Sequence, residues 1–479
     1  MASPNLLGTR KCKRKARFSF AFHSFFRNFA TKITTNMRIF DKNKLYIGSG
    51  KGILLSFLLV TACFALWGFA NNVTTTMVST FSRIFRISPM EAALVPVVAY
   101  LGYFCMAFPA ALFIRRHSFK SGTMLGLLLF AVGTLLFIPA KFIGNFYPFL
   151  IAYFIMTCGM SFLETTCTPY VYCMGSEKTG IFRLNFAQSF NALGAMIAMM
   201  VTLSVHSQIS TMDTMQRQRL PLQQFNIIKD HDLGILIQPY IYIGAIVVVL
   251  LVALWLFKLS NIQIQENDKG LWDTLKDLWQ QRNYREGVIA EFFYVGAQTA
   301  CWTYIIPYGT HIFVAEGLTE QAAEVLAQKY NVIALVFFAA SRFICTWLLR
   351  WFSPERMLST MAILGISALI GVICFTDRNG LYCLVAVSIC MSLMFPTIYG
   401  LALRGIHSDI KIAGAGLIMS ILGGSFFPPI QSAIILSDVT ILGVSCSNLS
   451  FIVPMLCLAV VVWYGHRAYV RHAIQGEAA

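Results

Sequence analysis

The sequence predicts an all-α integral membrane protein with twelve transmembrane helices in two six-helix halves, and three observations carry that prediction. Hydrophobic residues make up 57% of the 479 and charged residues only 12%, with a mean hydropathy of +0.67, far outside the range of soluble chains. Windows of 18 or more mainly apolar residues recur twelve times, each long enough to cross a hydrocarbon core of about 30 Å as a helix. The longest polar stretch between them, residues 261–286, falls after the sixth.

Taken in order, the chain opens with a basic tail over 1–51 that holds 12 Lys and Arg against one acid, Asp41, and so supplies +11 of the net +16. It has no clean apolar core followed by a small-residue cleavage site, so no signal peptide is expected. KCKRKARFSF could meet anionic headgroups or nucleic acid, but an orientation signal is the plainer reading and no nucleic-acid function is expected. Met37 is an alternative start. The first half, 52–259, holds expected spans at 52–82, 91–114, 121–140, 147–174, 184–206 and 236–259. A linker over 260–286 follows, in which GLWDTLKDLW places Leu271, Leu275, Leu278 and Trp279 on one face of an amphipathic helix. The second half, 287–466, holds spans at 287–312, 325–349, 357–376, 380–403, 412–436 and 449–466, before a tail over 467–479. With both termini inside, the inner segments carry 28 of the 37 Lys and Arg and the outer loops 8, which sets the expected orientation. RRHSFKSG at 115–122 and RWFSPERM at 350–357 give a weak echo between the halves.

Most of the 13 cysteines fall inside apolar spans, where they act as small hydrophobes, and no pair or cluster has metal-ligand spacing. No cofactor or metal is expected. An enzyme would need a catalytic grouping at membrane depth, and none is present.

Polar residues within the spans point instead to a solute path. Glu164 lies 12 residues before Ser176, about 18 Å from the inner end, and an ionisable group at that depth reads as functional. Kept from water, it holds its proton until a water-filled state opens and lets the proton leave, which ties proton binding to conformation. A permanently protonated donor to a sugar is the rival reading. A neutral polyol needs amides and aromatic faces, and these recur at helical spacing. Asn71, beside Asn72, shares a face with Thr75. Asn185, Gln188 and Asn191 form a stripe, and Gln298 and Trp302 lie one turn apart. Such amides also serve helix–helix contacts. Tyr308, Tyr399 and Trp347 read first as packing aromatics. Glu291 and Arg342 both fall near the inner ends of their spans; a bridge between them would help close that side, and snorkelling of each is the alternative. Gly423, Gly424, Pro428 and Pro429 interrupt the eleventh span, as a flexing point or a fixed kink.

Seven stretches carry a resemblance to a known family. They are LWGFANN (66–72), AYLGYFCMAFPAALFIRRHSFKSG (99–122), FLETTCTPYV (162–171), FRLNFAQSFNALGA (182–195), YVGAQTACWTYIIPY (294–308), SRFICTWLL (341–349) and FPTIYGLALRG (395–405), in that order. The chain resembles the L-fucose/proton symporter family, the fucose permease branch of the major facilitator superfamily. The resemblance implies two halves related about the membrane normal, with a sugar site between them near the midplane. It also implies inward movement of a monosaccharide with a proton, the proton role falling to Glu164. Arg115, Arg116 and Lys120 resemble the superfamily's first-loop motif, which latches helix ends. By analogy with bacterial permeases the expected place is the inner membrane, both termini cytoplasmic, and one chain holds a complete path, so a monomer is expected.

Two positions depart from the family pattern. Thr75 stands where the first-helix motif carries an aspartate, and Thr168 stands where asparagine usually follows the glutamate. Coupling through Glu164 alone, coupling to another ion and uncoupled facilitation therefore stay open, with a non-transporting sugar sensor as a minor alternative, and Thr168 bears on sugar preference.

Overall fold

The computed structural model describes residues 53–76, 78–88, 91, 94–210, 212, 216–217, 219–257, 259, 262, 270–406, 409–437 and 445–477. The basic tail, Met37 and most of 260–269 lie outside the described residues, as does the side chain of Thr75. Every described regular element is a helix. A hydrocarbon medium offers backbone amides no water, and helices satisfy them within the segment.

Among the described residues, eleven helices are long and apolar enough to cross a membrane: Ile53–Thr74, Leu94–Arg116, Phe119–Ile143, Phe146–Cys173, Glu177–Val205, Leu222–Leu256, Glu320–Leu348, Pro354–Cys374, Arg378–Leu403, Ile410–Leu436 and Cys446–Ile474. The seventh crossing in chain order is the 34-residue helix Arg282–Ala315. At 1.5 Å per residue it is about 51 Å long, so its first turns, with Arg282, Arg285 and Glu286, extend past the hydrocarbon. It falls short on apolarity because it carries Glu291 and Gln298. Each of the twelve expected spans has its helix. The sixth starts earlier than expected, as Leu222–Leu236 followed by Gln238–Leu256, with a proline in the first turn of the second piece. The first ends sooner, and a separate short helix covers Val78–Phe85.

Local chemistry sets several boundaries. Ser118 and Asn145 cap the third and fourth spans by accepting from backbone N–H groups, and Asp377 does the same for the tenth. Gly144, at φ 66°, closes the helix before it in the left-handed conformation that glycine takes without cost. Between helices, small residues allow backbone contact. A Cβ on Gly194 would lie 2.1 Å from the Ala65 carbonyl oxygen, and one on Gly68 would lie 2.3 Å from that of Asn191, so the first and fifth spans touch. Gly133 and Gly159 bring the third and fourth together in the same way. Large apolar side chains such as Leu58, Phe104, Ile151, Val249 and Ile344 remain exposed, which suits a surface solvated by lipid. The amphipathic linker helix, Leu271–Gln280, packs through Thr274 and Leu278, with Leu271 and Leu275 partly buried. Trp279, expected on that face, is exposed instead.

Odd spans run away from the side on which the first begins, and even spans return; that side is called the terminal face. The halves meet through the second span against the eleventh and the fifth against the eighth. Two spans are broken. The eleventh passes through a single 3₁₀ turn, Ser420–Leu422, just before the expected glycine pair. The tenth stops at Met391 and resumes at Met394, a break the sequence did not signal.

Candidate functional site

Glu164 sits within the fourth span, about 14 Å from its terminal-face end at Cys173. It is buried, and its nearest polar neighbours are the Tyr103 hydroxyl of the second span and the Gln188 amide of the fifth. Gln188 nonetheless leaves its Nε2 without an acceptor at hydrogen-bonding geometry, and Thr165 Oγ1, Thr168 Oγ1 and Asn185 Oδ1 are likewise unpartnered. Buried polar atoms ordinarily find partners. A cluster that leaves them open on the fourth and fifth spans is suited to a polar solute.

The second half supplies the facing wall. Glu291, on the seventh span, is fully buried, and neither carboxyl oxygen accepts a hydrogen bond. Glu164 lies within electrostatic reach of it. Tyr399, on the tenth span, is within reach of both carboxyls, and its hydroxyl has no partner. Farther along the seventh span, away from the terminal face, are half-buried Gln298 and Trp302. The Trp302 indole N–H donates to Ser388 Oγ at 3.3 Å, and its ring meets Phe338 edge-on at 5.0 Å.

Below this layer the halves are joined. Asn185 Nδ2 donates to Thr397 Oγ1 at 3.2 Å, Ser189 and Thr346 hydroxyls lie 3.5 Å apart, and Arg342 donates to the Gln188 carbonyl at 3.1 Å. Nearer the terminal face, Lys411 Nζ donates to the Ile114 carbonyl at 2.7 Å, the Gly405 N–H donates to Glu177, and Arg115 lies 3.7 Å from Asp409. Toward the other face the halves are linked by the Tyr100 and Thr299 hydroxyls, 3.4 Å apart. The molecule is thus held shut on the terminal face, with its carboxyl layer just above the closure.

The expected bridge between Glu291 and Arg342 is not formed. The break in the tenth span frees backbone carbonyls that a continuous helix would have satisfied. Arg342 Nε donates to one of them, Ser392 O, Tyr294 to Met391 O and Ser341 to Ile389 O. With Phe338 under its guanidinium at 4.5 Å, Arg342 is engaged through Nε and Nη1 by backbone carbonyls and not by Glu291.

The remaining expected residues fall as follows. Asn191 packs against Gly68, and Asn72 Nδ2 donates to the Gly68 carbonyl; Asn71, beside it, is exposed. Lys120 donates to the Trp255 and Phe257 carbonyls, so it ties the third span to the sixth inside one half. Arg116 is exposed in the same loop. Tyr308 is a packing residue, bonded to Val372 O and Phe375 O with Asn448 donating to it. Trp347 is half-exposed against Trp351. Tyr103, Thr397 and Lys411 were not picked out from sequence; Lys411 stands at a span end, where a lysine reads as an interface anchor. Among the described residues no group of His, Cys, Asp and Glu could hold a metal, and every cysteine is a free thiol. A groove of about 430 Å³ between the third and sixth spans is lined only by Met124, Leu125, Leu128, Leu251, Val252 and Trp255. It offers nothing to a polyol.

Comparison with known proteins agrees with the all-helical membrane fold. The Major Facilitator Superfamily model matches residues 55–429. The chain is 42% identical to the L-fucose-proton symporter of Haemophilus influenzae over 88% of its length and 97% of that protein. It is 32% identical to the L-fucose-proton symporter of Escherichia coli K12, over 89% and 95%. A glucose/galactose transporter of Brucella abortus is 27% identical over 91% and 98%. Among solved structures, the transporter FucP in its outward conformation superposes with a TM-score of 0.77 at 30% identity, covering 86% of this chain and 98% of that one.

Proposed function

The chain belongs to the Major Facilitator Superfamily and to its L-fucose–proton symporter branch, and from that premise we propose that it carries L-fucose or a related hexose across the membrane with a proton, by alternating access. The observation that carries this reading is the buried Glu164 carboxyl, set among unpartnered amide and hydroxyl groups directly above a closed face. Sugar hydroxyls complete hydrogen bonds that Gln188, Thr165 and Thr168 leave unmade, while Asn185 is held in the closure below them. Trp302, Gln298 and the Asn71–Asn72 pair form the upper wall, where an indole face suits the C–H side of a pyranose.

Transport then follows from the gate. The cross-half bonds hold the terminal face shut while sugar and a proton enter from the other side. Breaking them opens the terminal face, and water reaching Glu164 takes up its proton. With the excess of Lys and Arg as guide, the terminal face is cytoplasmic and the membrane a bacterial inner membrane, so net movement is inward. One chain suffices as the transport unit.

The test is uptake of labelled L-fucose into proteoliposomes with and without an inward proton gradient, with unlabelled galactose and glucose as competitors. Accumulation that needs the gradient and is lost in Glu164→Gln is the expected result. Thr75, in place of a first-helix carboxylate, favours one second reading, a passive facilitator, and equilibration indifferent to the gradient would establish it.

A further inference from the structure

The Glu291 carboxyl stands in the wall that faces Glu164, in the membrane layer just above the gate, and the symport reading gives it no task. It begins nine residues into its helix, is 0% exposed, and has no donor or cation at either oxygen. The helices packed around it leave it in this condition. Tyr294, on its own helix, spends its hydroxyl on Met391 O. Arg342, from the eighth span, spends its guanidinium on Ser392 O and Gln188 O. The tenth span offers Tyr399 and the twelfth Tyr464, both neutral phenols with unpartnered hydroxyls within electrostatic reach. From the fourth comes Glu164, a second acid. On the eleventh, Lys411 is turned to Ile114 O. Tyr284 donates to Ala413 O, and Arg467 and Arg471 of the twelfth pair with Glu286 at the terminal face.

A carboxylate enclosed in this way would be a buried charge without compensation, and a second ionised acid at Glu164 would add repulsion. The closed terminal face therefore accommodates Glu291 only as the neutral acid. When the halves part, water can reach this layer; the O–H bond breaks, the proton passes to water, and the carboxylate is hydrated.

We propose that Glu291 is a second proton-binding site, which must be occupied for the terminal face to close. It deepens the symport reading and rests on its alternating-access cycle. Closure takes up one proton, so once the open-state carboxyl is ionised the closed-to-open ratio falls about tenfold per pH unit. Alkaline conditions on the terminal side hold the carrier open there and slow its return.

The test is the separation of two fluorophores, one placed at Lys178 in the first half and one at Arg356 in the second, both exposed at the terminal face, in purified full-length protein without sugar between pH 5 and 9. The expected result is a shift from the short to the long separation on raising pH. The shift should become shallower by one proton in Glu291→Gln, keep its steepness in Glu291→Asp, and retain the Glu291 share in Glu164→Gln. A pH-indifferent wild type, or a Glu291→Gln protein that follows the wild type, overturns the proposal. If Glu291→Gln does not purify as folded protein, Glu164→Gln decides: loss of the shift there assigns it to Glu164 and overturns the proposal, while persistence supports it. Because no sugar flux is read, failure here leaves proton-coupled uptake standing, and only the proteoliposome assay can remove that.

Discussion

Lys411→Met tests whether the closed terminal face is held by particular bonds or by general packing. In the closed state the Lys411 ammonium is buried, donates to the Ile114 carbonyl at 2.7 Å and stands 5.2 Å above the Phe119 ring. Both partners belong to the first half, and both are lost when the halves part. A hydrogen bond from a charged donor contributes about 1.5–3 kcal/mol, which is about a 10- to 100-fold bias toward closure. Methionine keeps the length and apolar stem but cannot donate. The closed-to-open ratio, read from fluorophores on the two halves at the terminal face, should fall by that factor, and Lys411→Arg should restore most of it. Apparent affinity for sugar supplied from the other side should weaken in parallel, since only the closed form presents the site to it. An unchanged closed fraction in Lys411→Met would refute the reasoning and leave closure to packing of the second span on the eleventh and the fifth on the eighth.

Three further outcomes are expected. Gly194→Ala should destabilise the protein by about 1–3 kcal/mol, because its Cβ would lie 2.1 Å from the Ala65 backbone oxygen; thermal unfolding in detergent measures this. Trp302→Phe removes the donor to Ser388 while keeping a ring against Phe338, and should weaken sugar binding several-fold with little change in unfolding temperature. Beyond the membrane layer, hydrogen bonds from Arg378 hold the Glu316 carboxyl below the usual carboxylate range. Whatever stability this exposed pair adds is present above the unfolded pKa and is lost as pH falls through the folded one. Acid unfolding of Glu316→Gln should accordingly show a slightly shallower pH dependence than wild type.

Much of the molecule could be read from the chain alone because a bilayer makes few demands. Long apolar runs must be helices, so the twelve crossings were legible. Glu164 stood out because a carboxyl at membrane depth is costly, and the 185/188/191 spacing placed three amides on one face by helix geometry. Their separate fates were not legible. Asn185 reaches Thr397 at the gate, Gln188 turns toward Glu164, and Asn191 packs on Gly68. Such choices depend on which neighbour comes within about 3 Å, and that is a property of helix packing. The Glu291–Arg342 pairing failed for the same reason: charges alone matched them, but carbonyls freed by the break at Met391 compete for the guanidinium. Likewise Tyr399 read as packing until the tenth span placed its hydroxyl near both acids. Local composition thus determined which segments lie in the membrane and which polar groups are costly there. Only the tertiary structure decided which of those groups are satisfied, because satisfaction is settled by contacts between residues up to 297 positions apart.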